Sequence, residues 1–236
     1  MKNIIILSPS KEMDWNSGKE NIDLDETSLK IINEIKKFRK EELADFFKID
    51  SELAQRVFTA YKEIDKSTAK NAIDTYNGLA FRQFDSEVLH YDFTKNHLLI
   101  LSALYGPVGP QNKINPYRLD FSKNLKIEDT NLKKIQKENF NDKLKGCRIY
   151  NLASKEFSTL LDKKKMGEWV EIEFYDDFEN NKKTHSATSK KLRGQLANYI
   201  LKNESFDEEI FKNFKFEGYK FSDNSKEKFY VYENKI

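Results

Sequence analysis

Leu98-Leu99-Ile100-Leu101-Ser102-Ala103-Leu104-Tyr105-Gly106-Pro107-Val108-Gly109-Pro110-Gln111-Asn112-Lys113-Ile114-Asn115-Pro116-Tyr117-Arg118-Leu119-Asp120-Phe121 is the stretch that decides the fold. It holds three of the four prolines (Pro107, Pro110, Pro116) and two of the eight glycines (Gly106, Gly109). Its apolar head reads as a buried strand or a short buried helix, and periodicity alone does not choose between them. Gly106-Pro107 and Gly109-Pro110 then break the run, because each proline bars helical geometry at the residue before it. The chain must reverse there within a few residues. Gly106 and Gly109 leave backbone N–H groups open to an anion such as phosphate. Between Phe93 and Asp120 no acid occurs, while Lys95, Lys113 and Arg118 do. Tyr117 stands beside that arginine.

Working outward, the N-terminal Ile4–Leu7 run reads as a buried strand that ends in Ser8-Pro9-Ser10-Lys11. Hydroxyls and an amine after a strand's C-terminal end mark the edge where open α/β sheets bind ligands. A second exit of this type follows Cys147–Leu152, as Asn151-Leu152-Ala153-Ser154-Lys155, with Ser154 placed to cap a helix through Leu161. Between these strands, Leu29, Ile32, Ile35 and Phe38 form one apolar helical face. A second helix is expected over Glu41–Phe47. A third starts at Ser51, its N-cap, with Leu53, Val57, Ala60, Tyr61 and Ile64 in one stripe. Tyr76-Asn77-Gly78-Leu79 reads as a turn, and Ser86–Tyr91 as a short helix.

Towards the C-terminus, Gly167–Phe174 alternates as a half-buried strand does. Asn180-Asn181 is its hairpin turn, and Thr184–Thr188 the expected partner strand. Ser189 is then the expected cap of a helix whose face is Leu192, Leu196, Tyr199 and Ile200. That start would crowd Lys190, Lys191 and Arg193 into the first turn, against the helix dipole, where a bound anion would offset them. Phe214–Tyr232 reads as an aromatic hairpin around Asp223-Asn224-Ser225. The chain has no repeat and no linker, so the expectation is one α+β domain over residues 1–236, with a mixed β-sheet and surrounding helices.

Composition narrows the function. Of 236 residues, 34% are charged and 38% hydrophobic. The longest apolar runs fall far short of the ~18 residues a membrane span needs. The N-terminus lacks a signal-peptide pattern, and the single cysteine, Cys147, excludes an internal disulfide. Both fit a cytoplasmic protein. Net charge is +2, too small to argue for nucleic acid by itself. Its distribution says more: Lys133–Arg148 and Lys182–Lys202 each carry six Lys or Arg, the second with no acid. The three histidines and Cys147 lack ligand spacing, so neither metal nor cofactor is expected.

Together the motifs resemble those of the bacterial YaaA-like peroxide-stress proteins. Ile6-Leu7-Ser8-Pro9-Ser10-Lys11 is similar to that family's Ile-Ser-Pro-Ala-Lys opening. Leu101–Gly106 followed by Pro116-Tyr117-Arg118-Leu119 resembles its Leu-Ser-Gly-Leu-Tyr-Gly and Pro-Tyr-Arg-Leu core. Asn151-Leu152-Ala153-Ser154, Arg193-Gly194 and Glu217-Gly218-Tyr219 follow in family order. The chain departs from the pattern at Ala103, where glycine is usual, and at Gly109-Pro110, where Arg-Pro is common. The resemblance implies an unusual α+β fold with a positively charged cleft. It also implies a helix-hairpin-helix-like element that binds duplex DNA, and survival of hydrogen peroxide through limited free iron. Gly106-Pro107-Val108-Gly109 is the expected hairpin of that element, holding phosphates without reading bases.

Two functions follow from these readings. In one, the protein binds duplex DNA without sequence preference, through three basic segments that form one cleft. In the other, an enzyme acts on a small phosphorylated or nucleotide-like molecule. That second reading rests on Ser8, Ser10, Lys11, Arg118, Asn151, Ser154 and Arg193 as polar loop residues at element ends. A long open groove would favour the first, and a closed pocket lined by the short motifs the second.

Overall fold

The computed structural model describes residues 1–234. Nine strands make one mixed sheet: β1 (Asn3–Leu7), β2 (Leu98–Ser102), β3 (Gly106–Val108), β4 (Arg148–Asn151), β5 (Glu168–Asp177), β6 (Lys182–Lys183), β7 (Lys215–Phe216), β8 (Tyr219–Phe221) and β9 (Phe229–Glu233). Their order is β7-β8-β9-β5-β4-β1-β2-β3, with β6 on β5. The centre, β2-β1-β4-β5, is parallel, and β9 joins β5 in parallel; β3, β6, β7 and β8 add antiparallel pairs. Ile4, Ile5, Ile6, Leu7 and all of Leu98–Ser102 are buried, as continuous apolar runs in a covered parallel sheet should be.

The helices include α1 (Glu26–Ile35), α2 (Lys40–Phe47), α3 (Ser51–Glu63), α4 (Leu132–Leu144), α5 (Lys155–Ser158) and α6 (Ser186–Lys202), with shorter ones at Ala72–Thr75, Asp92–His97 and Glu208–Asn213. The α+β class expected from sequence is what folds, and several local expectations are corrected. Asp25 caps α1 by accepting from Ser28 N. This turns Ile31, Ile32 and Ile35 inward and leaves Leu29 40% exposed. Asp50, not Ser51, caps α3, accepting from Leu53 N at 2.8 Å. A carboxylate is the stronger cap beside the dipole.

The hairpin after Glu168–Asp177 is also shorter than expected. Only Lys182 and Lys183 pair with β5; His185 then caps α6, its Nδ1 accepting from Ala187 N at 3.3 Å. Because α6 starts at Ser186, Lys190, Lys191 and Arg193 stand beyond its first turn. The helix dipole therefore calls for no anion there, contrary to expectation.

The apolar head of the deciding stretch is strand β2. Gly106–Val108 runs antiparallel to it, Ser102 opposite Gly106, so Gly106-Pro107-Val108-Gly109 belongs to a β-hairpin and not to a helix-hairpin-helix. The helices packed as a tight hairpin are α2 and α3, joined through Lys48, whose φ of 52° is left-handed. Asp50 places a carboxylate at the N-terminus of α3.

Candidate functional site

Strand order reverses at β1: the chain crosses from it to β2 on one side and later returns to β4 on the other. A crevice outside the carboxyl ends of the strands at such a reversal is the general ligand position of open parallel sheets. Here the register sets Ile6 opposite Asn151, so both polar exits leave at the same height. They are laced together. Ser8 Oγ accepts from Ser154 N at 2.8 Å and donates to Ser154 Oγ at 3.0 Å, and Leu152 N donates to Ile6 O at 3.1 Å.

Two glycines bring in the remaining walls. A Cβ on Gly78 would lie 2.1 Å from Ser10 Oγ, and one on Gly194 would lie 2.1 Å from the Ala80 carbonyl oxygen. At 194 only hydrogen lets the backbone of Ala80 press onto α6, while at 78 the missing side chain leaves room for the Ser10 hydroxyl. The result is a cavity of about 340 Å³, with Ser8, Ser10, Lys11, Ser154, Lys190 and Arg193 on its lining. Leu79, Phe81, Leu119 and Phe157 supply apolar wall, and Asp120 and Glu156 also face it.

Charge in the crevice is unevenly paired. Lys11 Nζ lies 2.8 Å from Asp120 Oδ2, and Asp120 Oδ1 accepts from the Ser122 amide at 2.9 Å and from its hydroxyl. Burial pushes the Asp120 carboxyl up, but the Lys11 ammonium and Ser122 outweigh it and hold the group below its usual value. Glu12 is taken by Arg82 at 2.6 Å, and Glu156 accepts from the Phe121 amide at 2.9 Å. Arg193 differs. Its Nε is buried without a partner, and it makes no hydrogen bond or ion pair among the described residues. Burial pulls its pKa down, opposed by the longer-range fields of Glu171 and Glu173.

The other residues singled out in the sequence lie elsewhere or are already engaged. Arg118 borders the crevice, its Nη1 donating to Lys11 O at 3.4 Å, while its Nε is buried without a partner. Tyr117 is 1% exposed; its hydroxyl bonds Ser102 Oγ at 2.8 Å and Tyr76 OH at 3.0 Å, a core cluster in which burial pushes the phenol up to about 12. Asn151 is buried, shaping its loop by accepting from Ala153 N at 3.1 Å and donating to Glu171. Gly106 is tied into the β3 ladder, and the Gly109 amide donates to Asn112 Oδ1. Lys113 is bound to Glu20 and Asn71, and Lys191 lies 3.6 Å from Glu217.

The basic segments do not form one cleft. Lys190 and Arg193 face the crevice, whereas Lys95 and Lys143 meet Lys2 at the amino ends of the same strands, around a cavity of about 180 Å³ with no carboxylate on its lining. Lys95 also reaches Asp92, an exposed acid outside that lining, at 2.8 Å. Sequence reasoning missed Asp120, Glu156 and Gly78–Phe81. Asp120 had a signal, since it closes the acid-free stretch directly after Arg118-Leu119. Among the described residues, no group of three or more His, Cys, Asp or Glu is placed to hold a metal ion, and no helix is long and apolar enough to cross a membrane.

Comparison with known proteins bears on the whole chain. A protein of Francisella tularensis subsp. novicida described as UPF0246 is 31% identical over 240 residues, covering 93% of this chain and 94% of its own length. Its counterpart in F. tularensis subsp. tularensis strain WY96-3418 is 32% identical over the same span, and that of F. philomiragia 29%. The model of the family described as "Peroxide stress protein YaaA" matches residues 3–225, which takes in every motif that builds the crevice. This chain belongs to the YaaA peroxide stress protein family.

Proposed function

We propose that the protein serves the cytoplasmic response to peroxide by binding a small anionic molecule in the crevice between the β1 and β4 exits. The observation that carries this reading is Arg193. Arg193 is half-buried, and its Nε is cut off from water; a guanidinium that loses hydration in this way is ordinarily compensated by a carboxylate or a hydrogen-bonded partner. Arg193 has neither among the described residues, yet it stands beside Lys190 on the lining of the cavity. A bound phosphate or carboxylate supplies the missing partner, and arginine is the side chain best shaped to hold one. Gly194 holds the helix that carries it against the Ala80 backbone, as a rigid ligand site requires.

Calorimetric titration with small phosphates and carboxylates tests this directly. The wild-type protein should bind at least one of them, and Arg193→Gln should lose about 10–100-fold in affinity, the worth of a charge-assisted hydrogen bond. In cells lacking the protein, wild type but not Arg193→Gln should restore growth in hydrogen peroxide. Equal binding by both proteins would overturn the reading.

A second reading is duplex DNA binding that limits iron-driven oxidation. What favours it is the other cleft, where Lys2, Lys95 and Lys143 gather with no acid on the cavity lining. Exposed lysines of this kind hold phosphates as mobile point charges. Fluorescence anisotropy with a labelled duplex should give affinity that falls steeply with salt, and no binding at low salt would remove this reading.

A further inference from the structure

We infer that the crevice takes a nucleoside monophosphate, one phosphate joined to a flat, donor-bearing body. This rests on the small-anion reading above and narrows it. The anionic subsite is compact: Lys190 and Arg193 are three residues apart on α6 and therefore neighbours on one helix face. Two cations at that spacing match one phosphate. A bare phosphate would leave the rest of the cavity empty, and that remainder is chemically different. Leu79, Phe81 and Leu119 make it apolar, with Ser8 and Ser10 hydroxyls beside them.

Asp120 supplies a fixed carboxylate that keeps spare acceptor capacity towards a ligand. Its Oδ1 takes both the amide and the hydroxyl of Ser122, but Oδ2 takes only Lys11. The remaining lone pairs of Oδ2 suit an N–H or O–H of a base or a ribose. Size sets the other bound. At about 340 Å³ the cavity lies at the small end of ligand sites, room for one monomer and not for a strand.

The test is calorimetry on the full chain with five probes: inorganic phosphate, ribose 5-phosphate, adenosine, AMP and GMP. AMP or GMP should bind at least about tenfold tighter than ribose 5-phosphate, adenosine or phosphate. Arg193→Gln should bring the monophosphate down to the level of the nucleoside. Leu79→Ala, a partly exposed position whose loss leaves the core intact, should bring it down to the level of ribose 5-phosphate. Ribose 5-phosphate binding as well as AMP and GMP would overturn the nucleotide assignment and leave the small-anion reading standing. Adenosine binding as well as AMP would overturn the phosphate subsite. If no phosphorylated probe binds, the nucleotide assignment falls with phosphate as the anion, and a small carboxylate alone remains for the broader reading.

Discussion

The two ends of the same three parallel strands carry opposite designs. At the carboxyl ends of β1 and β4, cations stand on apolar walls, with a paired carboxylate, laced serines and an arginine whose buried Nε lacks a partner. At the amino ends, Lys2, Lys95 and Lys143 surround a smaller cavity whose lining contains no acid. Positive charge alone does not distinguish them. Rigidity does: α6 is pressed onto Ala80 through a glycine, so Arg193 has a fixed place, whereas the three lysines are exposed and reach on flexible stems. A fixed guanidinium in a walled crevice suits one ligand of defined shape, and mobile ammonium groups suit a polyanion of any sequence.

The largest effect that separates the two ends is expected from glycine substitution. Gly194→Ala should disrupt the crevice, because the new Cβ would meet a backbone carbonyl that cannot step aside. Overpacking of this kind costs about 1–3 kcal/mol, more than the ~1 kcal/mol alanine gains in helix propensity. Urea denaturation should show the loss, and titration should show small-anion binding abolished. At the other end, Gly109→Ala would place its Cβ 3.1 Å from Asn112 Oδ1, a side-chain atom that need yield only a few tenths of an ångström while keeping its bond to the 109 amide, and should cost under about 1 kcal/mol. Equal costs at 109 and 194 would break the comparison.

Arg193→Gln comes next. If Arg193 were half of a structural ion pair, losing it would leave a buried carboxylate behind and cost about 3–5 kcal/mol. With no such partner among the described residues, stability should change by less than about 1 kcal/mol while anion affinity falls. A large drop in the denaturation midpoint would mean that the arginine holds the fold and not a ligand.

Much of this geography is legible in the amino-acid sequence. The strand Ile4–Leu7 and its Ser-Pro-Ser-Lys exit can be read there because apolar runs and turn residues are local signals. The same holds for the exit at Asn151–Ser154. What local signals do not carry is which cation meets which partner. Lys113, Lys190 and Lys191 look alike in sequence, but Lys113 is tied to Glu20 across 93 residues and Lys191 faces Glu217, leaving Lys190 to the crevice. Tyr117 misleads because its neighbour Arg118 stays half-exposed beside the crevice while the tyrosine is turned into the core. The start of α6 misleads because His185, a weak cap by composition, outcompetes Ser189 once Lys182 and Lys183 have ended the hairpin.

A smaller effect is expected at the amino ends. Replacing Lys2, Lys95 and Lys143 together with Gln should weaken duplex binding without touching small-anion binding, and Arg193→Gln should do the reverse. Each phosphate no longer neutralised should lower the slope of log K against log salt by about 0.9. A slope unchanged by the triple substitution, measured by anisotropy over a salt series, would move any DNA binding away from this cleft.

The smallest effect is electrostatic and belongs to the crevice alone. The Asp120 carboxyl is buried, yet Lys11 and Ser122 hold its pKa below the usual 3.8. A depressed acid stabilises the fold above its unfolded value, and that contribution is lost as pH falls through the folded value. Wild type and Asp120→Asn should therefore differ by a constant amount from pH 7 to about 5 and converge below about pH 4. Because Lys11 is half exposed, the constant difference should be about 1 kcal/mol or less. Lys143 makes no ion pair among the described residues, so Lys143→Gln should track the wild-type acid limb throughout. Chemical denaturation at half-unit pH steps resolves the two cases. An Asp120→Asn curve parallel to wild type down to pH 3 would show that the Lys11–Asp120 pair contributes nothing to the fold, and that the carboxylate is present for the ligand alone.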